Sequence, residues 1–244
     1  MPFTVSHISA VILFTNRRWL SLSGLIVGSM IPDFEYFLRM ALYSKYSHTL
    51  EGVFLFDLPV GLAFCFIYHL VCKKFIIDNS PEIIRSRMIQ YRDFDWINYF
   101  KQRYFIVIIS IVIGSLTHVI WDSFTHGSGY FVQEYQFLRT RIPVFNTSFP
   151  VFYIYQHLST IIGLAFFVKW FISLEVNNVE RKSGKNGLKV FFVMLILFFA
   201  TRMSFMAIQH EIKIGHVIVI FIASGMYSCI VSGIFYSFSK RYKI

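Results

Sequence analysis

Five apolar runs, at about 53–71, 104–121, 153–174, 188–207 and 216–238, reach or approach the length needed to cross a bilayer. They leave this chain few alternatives to a membrane fold. Inside hydrocarbon every backbone N–H and C=O must be paired within the segment itself, which makes each run a helix. The composition agrees: 56% of the 244 residues are hydrophobic and only 15% are charged, too apolar a balance for an ordinary water-soluble domain. The predicted class is all-α, a polytopic membrane helical bundle of five spans preceded by a short N-terminal helical hairpin. Residues 1–244 form a single integral membrane domain, with the chemistry concentrated in 1–165.

The formal net charge of +10 does not point to nucleic acid, because Lys and Arg fall in short blocks between the apolar runs. Blocks of that kind set membrane orientation. Lys73, Lys74, Arg85, Arg87, Arg92, Lys101 and Arg103 form one block; Arg181, Lys182, Lys185 and Lys189 a second; Lys240, Arg241 and Lys243 a third. Their alternation places all three on the cytoplasmic side of the inner membrane, with a cytoplasmic C-terminus. Residues 78–102, which include Asp93-Phe-Asp95-Trp96, read as an amphipathic cytoplasmic loop helix lying on the inner surface. Gly184–Gly187 reads as a turn.

The N-terminal region carries two apolar pieces, 8–14 and 20–31, each too short to span, with Asn16-Arg17-Arg18 between them and Pro32 after the second. A re-entrant or short helical hairpin would bring His7 and Asp33 to one outer face. Arg17 and Arg18 would then snorkel or occupy a polar pocket. A twin-arginine export signal is disfavoured because no A-x-A cleavage pattern follows.

Side chains able to do chemistry gather near the outer ends of the spans. His118-Val-Ile-Trp-Asp122-Ser-Phe-Thr-His126 sets two imidazoles and a carboxylate at i, i+4 and i+8, on one helical face. Ionisable groups at membrane depth are functional candidates, and imidazole with carboxylate makes a metal-binding face. Gly127-Ser-Gly129 ends that helix. The topology brings His48 and His157 to the same depth. Asp33 reads either as a helix N-cap or as a metal ligand, bridging or catalytic, with Glu35 supporting it or acting as general base. Ser47-His48-Thr49 reads either as a cap or as part of the site. Asp57, two residues before Pro59 inside the first span, needs a partner and could orient a histidine from behind the ligands. His69, His210 and His216 are set aside as structural. Cys65, Cys72 and Cys229 show no paired spacing, so neither a disulfide framework nor a thiolate site is expected.

Taken together, the opening Met-Pro-Phe-Thr-Val-Ser-His7, Gly28-Ser-Met-Ile-Pro-Asp33-Phe-Glu-Tyr, Ser-His48-Thr, Phe54-Leu-Phe-Asp57-Leu-Pro, Gly114-Ser-Leu-Thr-His118-Val-Ile-Trp-Asp122-Ser-Phe-Thr-His126-Gly and Gln156-His157 resemble an uncharacterised family of bacterial integral membrane proteins. The resemblance covers most of residues 1–165. That family is more distantly similar to membrane-bound metal-dependent hydrolases, which carry an N-terminal His, a Pro-Asp-x-Asp, a Thr-His-Ser and a His-x-x-x-Asp. Here Glu35 stands at the second Asp and Thr49 at the Ser. A looser similarity links it to the helical zinc-dependent phospholipase C and nuclease group, whose His and Asp ligands hold a zinc cluster. The resemblance implies His7, Asp33, His48, His118 and Asp122 as ligands, followed by His126 and His157.

Five or more N and O ligands exceed what one tetrahedral zinc takes, so two or three Zn2+ ions are expected. The expected function is a metal-dependent hydrolase acting on a phosphoester, a phospholipid or a lipid-linked compound, at the outer face of the membrane. Arg139 and Arg141 could meet a phosphate but read more simply as solvated loop charges. Two other classes stay open: a metal transporter or sensor, which needs polar residues continuing inward, and a structural metal site that staples helices.

Overall fold

The computed structural model describes residues 4–14, 17–179, 185–209 and 212–242. Arg181, Lys182, Gly184, His210 and Lys243 therefore lie outside the described residues, as do Thr15 and Asn16 of the twin-arginine stretch. The chain is helical nearly throughout, in chain order α1 (Ile8–Ile12), α2 (Leu22–Met30), α3 (Phe34–Arg39), α4 (Leu50–Asn79), α5 (Glu82–Met88), α6 (Trp96–Thr125), α7 (Tyr130–Glu134), α8 (Gln136–Arg139), α9 (Val151–Ser173), α10 (Lys185–Gln209) and α11 (Ile214–Tyr242). Helices α4, α6, α9, α10 and α11 are long and apolar enough to cross a membrane. The protein is thus an all-α polytopic membrane protein with the five spans predicted.

The residues fall into two compact units, of which the first comprises 1–33, 46–62 and 103–173. Among the described residues its N-terminal region forms the two short helices α1 and α2. Ser21 caps α2 by accepting from the Gly24 N–H at 3.3 Å, while its own N–H donates to Ser110 Oγ at 2.8 Å. Contact between α2 and α6 depends on glycine. A Cβ at Gly114 would lie 2.5 Å from the Leu25 carbonyl oxygen and 2.7 Å from the Ser29 nitrogen, and one at Gly28 would collide with the Ile111 backbone. The two backbones touch because neither residue has a side chain there. Ile8, Val11, Ile12, Leu20 and Leu25 fill the core of this corner, with Phe167 and Trp170 of α9 against it.

Helix α4 begins at Thr49, whose Oγ1 accepts from the Gly52 N–H at 2.9 Å. This is the cap anticipated for the Ser47-His48-Thr49 segment. Wide π turns interrupt α4 at Val53–Asp57 and Tyr68–Cys72.

Between α6 and α9, where the sequence had suggested only a loop, a two-stranded antiparallel hairpin forms from β1 (Arg141–Val144) and β2 (Thr147–Pro150). Its base rests on a small core of Val132, Leu138 and Val151, with Phe124, Phe131 and Phe152 packed around it.

The second unit comprises 34–45, 63–102 and 174–244. The single loop helix expected over 78–102 is divided. Glu82–Met88 is an α-helix followed by a 3-10 turn at Ile89–Tyr91, and Asp95 Oδ1 accepts from the Asn98 N–H at 3.0 Å, which starts α6 at Trp96. The carboxylate competes for the backbone N–H groups and makes this a helix start. Arg92 pairs with Asp78 at 2.7 Å, and the Tyr236 hydroxyl donates to the same carboxylate. His69 is buried and stacks on Trp96 with centroids 4.3 Å apart.

Candidate metal centre

Four separate segments of the first unit deliver imidazoles and carboxylates to one point. The N-terminal turn supplies His7, the turn after α2 supplies Asp33, the segment before α4 supplies His48, and α6 supplies His118, Asp122 and His126. His7 Nε2 lies 3.5 Å from Asp122 Oδ1. His48 Nε2 lies 3.3 Å from Asp33 Oδ1 and 3.5 Å from Asp122 Oδ2. His118 Nε2 lies 3.8 Å from Asp33 Oδ1 and 3.4 Å from Asp122 Oδ2. Two triads, His7–His118–Asp122 and Asp33–His48–His118, have donor atoms close enough to hold an ion.

Each ligand is aimed by a neighbour. His118 Nδ1 is 2.7 Å from the Ser29 carbonyl oxygen. A carbonyl only accepts, so Nδ1 carries a proton and Nε2 is the nitrogen that faces the centre. The backbone contact at Gly28 and Gly114 puts Ser29 within reach. Thr4 Oγ1 donates to Asp33 Oδ2 at 2.6 Å, turning Oδ1 toward His48 and His118. Ser47 Oγ meets His48 Nδ1 at 3.0 Å. His48 has φ 63°, a left-handed conformation rare for a side chain of this size. Strain of this kind clusters at functional sites.

His7, Asp33, His118 and Asp122 are buried, and His7 Nε2, His118 Nε2 and Asp122 Oδ1 have no hydrogen-bond partner among the described residues. Leaving three such atoms dry and unbonded is costly. A divalent cation satisfies all of them at once, so the residues present fit a metal. Burial, reinforced by the neighbouring His118, pushes His7 down to about 3, which keeps its imidazole neutral and able to ligate. Burial alone would raise the Asp33 carboxyl. The charge of His118 and the hydrogen bond from His48 outweigh it and hold Asp33 below the usual carboxylate range.

His126 and His157 separate. His126 Nδ1 is 3.4 Å from Asp122 Oδ2, and the Gln156 amide nitrogen is 3.3 Å from its Nε2. Gln156 donates there, which leaves the proton on Nδ1, facing Asp122. His126 therefore borders the centre as a donor. His157 is exposed against Tyr153, with ring centroids 4.3 Å apart, and the structure does not bring it to the group. Adjacent residues on a helix point about 100° apart. The buried positions of α9 are Val151, Gln156 and Gly163, so burial selects Gln156 over its neighbour. Gln156, Thr4 and Ser29 all lay within the motifs quoted above, but nothing in their residue types marked them.

Asp57 is buried and accepts from Ser115 Oγ at 2.5 Å, one turn of α6 before His118. It supports the helix that carries the ligands. Glu35 belongs to the second unit. Its Oε1 accepts from Arg39 Nη2 at 2.8 Å and from the Lys45 N–H at 3.0 Å, and Oε2 from Ser44 Oγ at 3.0 Å. It ties down the turn after α3.

The fold and the site define a multi-pass membrane protein with a buried cluster of histidines and aspartates suited to a divalent metal. The chain belongs to the family described as a domain of unknown function, DUF4184, whose model matches residues 1–237. No curated protein matches it, and no solved structure does.

Proposed function

We propose that this protein is a metal-dependent hydrolase acting on a phosphoester, lipid or lipid-linked, at the outer face of the cytoplasmic membrane. One observation carries the reading: His7 Nε2, His118 Nε2 and Asp122 Oδ1 converge, buried and without hydrogen-bond partners among the described residues. The distant resemblance to membrane-bound metal-dependent hydrolases supports the same chemistry. Zn2+ suits mixed imidazole and carboxylate donors.

The donors favour one ion per chain rather than the two or three expected. Both triads need His118 Nε2, and its other nitrogen is committed to Ser29. Separations of 3.3 to 3.8 Å among the donors are near the roughly 3.4 Å between ligands of one tetrahedral ion with bonds of about 2.1 Å. A bound divalent ion supplies Lewis acidity toward a phosphoryl oxygen and hydroxide at neutral pH.

The protein's own groups do the rest. Thr4, Ser29 and Ser47 hold the ligand orientations. His126, held by Gln156 with its proton toward Asp122, is placed to give or take a proton. It replaces Glu35 in that role, because the Glu35 oxygens already accept from Arg39, Ser44 and Lys45. The approach is from the His48 and His126 side, where the side chains are 22% and 28% exposed, against 0% for His118. Depth argues for a lipid-borne substrate: His118 stands about 22 Å along α6 from Arg103, whose basic block marks the cytoplasmic side.

The test is metal analysis of purified protein together with turnover of a phosphoester panel, for wild type, His118→Ala and Asp122→Ala. Loss of both metal and turnover in the variants is expected; equal metal content in all three would sink the reading.

A second reading, ion translocation, is favoured by the buried Asp57–Ser115 pair one turn from His118, which extends polar groups away from the site. It predicts metal flux into proteoliposomes that Asp57→Asn abolishes while bound metal stays.

A further inference from the structure

The hairpin between α6 and α9 has two unlike faces. In its register Ile142 lies opposite Phe149 and Val144 opposite Thr147, while Arg141 lies opposite Pro150 and Pro143 opposite Ser148. Paired residues share a face and alternate faces along the strand. Ile142, Val144 and Phe149 therefore line one side. The other side carries Arg141, whose Nε donates to Ser148 Oγ at 2.9 Å and whose Nη2 donates to the Ser148 carbonyl oxygen.

At the tip stands Phe145, fully exposed at 100%, with φ 52°. A turn that only reversed the chain would place Gly or Asn in that conformation. Here an aromatic ring is held in a strained position and pushed away from the protein. An apolar face ending in such a ring needs a cover.

We propose that this hairpin is a membrane-surface anchor, its Ile142–Val144–Phe149 face and Phe145 tip seated at the boundary between phospholipid headgroups and acyl chains. Continuity with a membrane-spanning helix and the aromatic residues around the hairpin select lipid as the occupant. β2 runs without a break into the membrane-spanning α9, so the ribbon sits at the membrane–water boundary. The Val151 N–H donates to the Thr140 carbonyl at 3.0 Å and closes the base. Phe149 stacks on Tyr153 of α9 at 5.6 Å, which joins the apolar face of the hairpin to the surface of the span. Exposed Tyr130, Tyr135 and Phe137 beside it complete the aromatic belt usual at that depth. Arg141, on the opposite face, stays in water or at the phosphates.

The test uses the full-length protein with its three cysteines replaced by Ala, reconstituted in phosphatidylcholine–phosphatidylglycerol vesicles. Single cysteines are introduced as Ile142→Cys, Pro143→Cys and Phe145→Cys and labelled with an environment-sensitive fluorophore. Labels at 142 and 145 should shift to the blue and be quenched by shallow nitroxide lipids, while the label at 143 is quenched by aqueous iodide. Iodide quenching at all three positions would overturn the proposal. So would protection of 142 and 145 from both quenchers, which would mark a protein contact such as a second copy. Metal content of each variant should equal that of its parent, since none of these residues touches the centre.

Discussion

His7 and His118 stack face to face, with ring centroids 3.7 Å apart and planes inclined by 15°. Two imidazolium rings so close would repel strongly, so at least one is neutral, and a ligand lone pair is available without a proton having to leave. The contact joins the N-terminal turn to α6 through the site itself. Anything that removes the centre should therefore loosen the N-terminal region.

Metal analysis of the wild type should give one tightly held ion per chain. His7→Ala should weaken binding and His118→Ala should abolish it, because only His118 belongs to both triads. Plasma mass spectrometry on protein purified without chelator reads the ratio; two ions per wild-type chain would contradict the single-centre arrangement.

Thr4→Val removes the donor that turns Asp33 while keeping volume. Metal affinity should fall by about 10–100-fold, the usual cost of losing a group that orients a ligand. Competition with a fluorescent chelator measures it.

Gln156→Ala should lower turnover by freeing His126, with little loss of bound metal. His157→Ala should leave both unchanged, since that ring is exposed against Tyr153. The contrast between neighbouring residues in one assay tests whether α9 faces the centre as described.

Gly114→Ala forces a Cβ to 2.5 Å from the Leu25 carbonyl oxygen. Overpacking of this kind costs about 1–3 kcal/mol, so the melting temperature in detergent should drop. Metal should be lost too, because Ser29 no longer reaches His118.

Acid should destabilise the metal-free protein in a defined direction. His7 falls from 6.5 to about 3 on folding because burial disfavours its charged form. Between those values the unfolded chain binds the extra proton, so stability is full above about 6.5 and declines as pH falls toward 3. Thermal unfolding of chelator-treated wild type and His7→Phe should diverge on that side; a flat difference across the window would remove His7 as the cause.

The five spans and the meeting of His7, Asp33, His48, His118 and Asp122 were legible in the sequence. Hydrocarbon leaves a long apolar run no structure but a helix, and charged groups at one depth in such helices need a shared purpose. What only the tertiary structure decided is how those groups are held. The pairing of Gly28 and Gly114 brings Ser29 to His118, and Thr4 reaches Asp33 from a different segment. Gln156, rather than His157, turns inward, Glu35 is spent on Arg39 and a turn, and residues 141–150 fold into a ribbon. Those outcomes depend on which backbones approach within a few ångströms. Such approaches join residues distant in the chain, and local pattern carries no record of them.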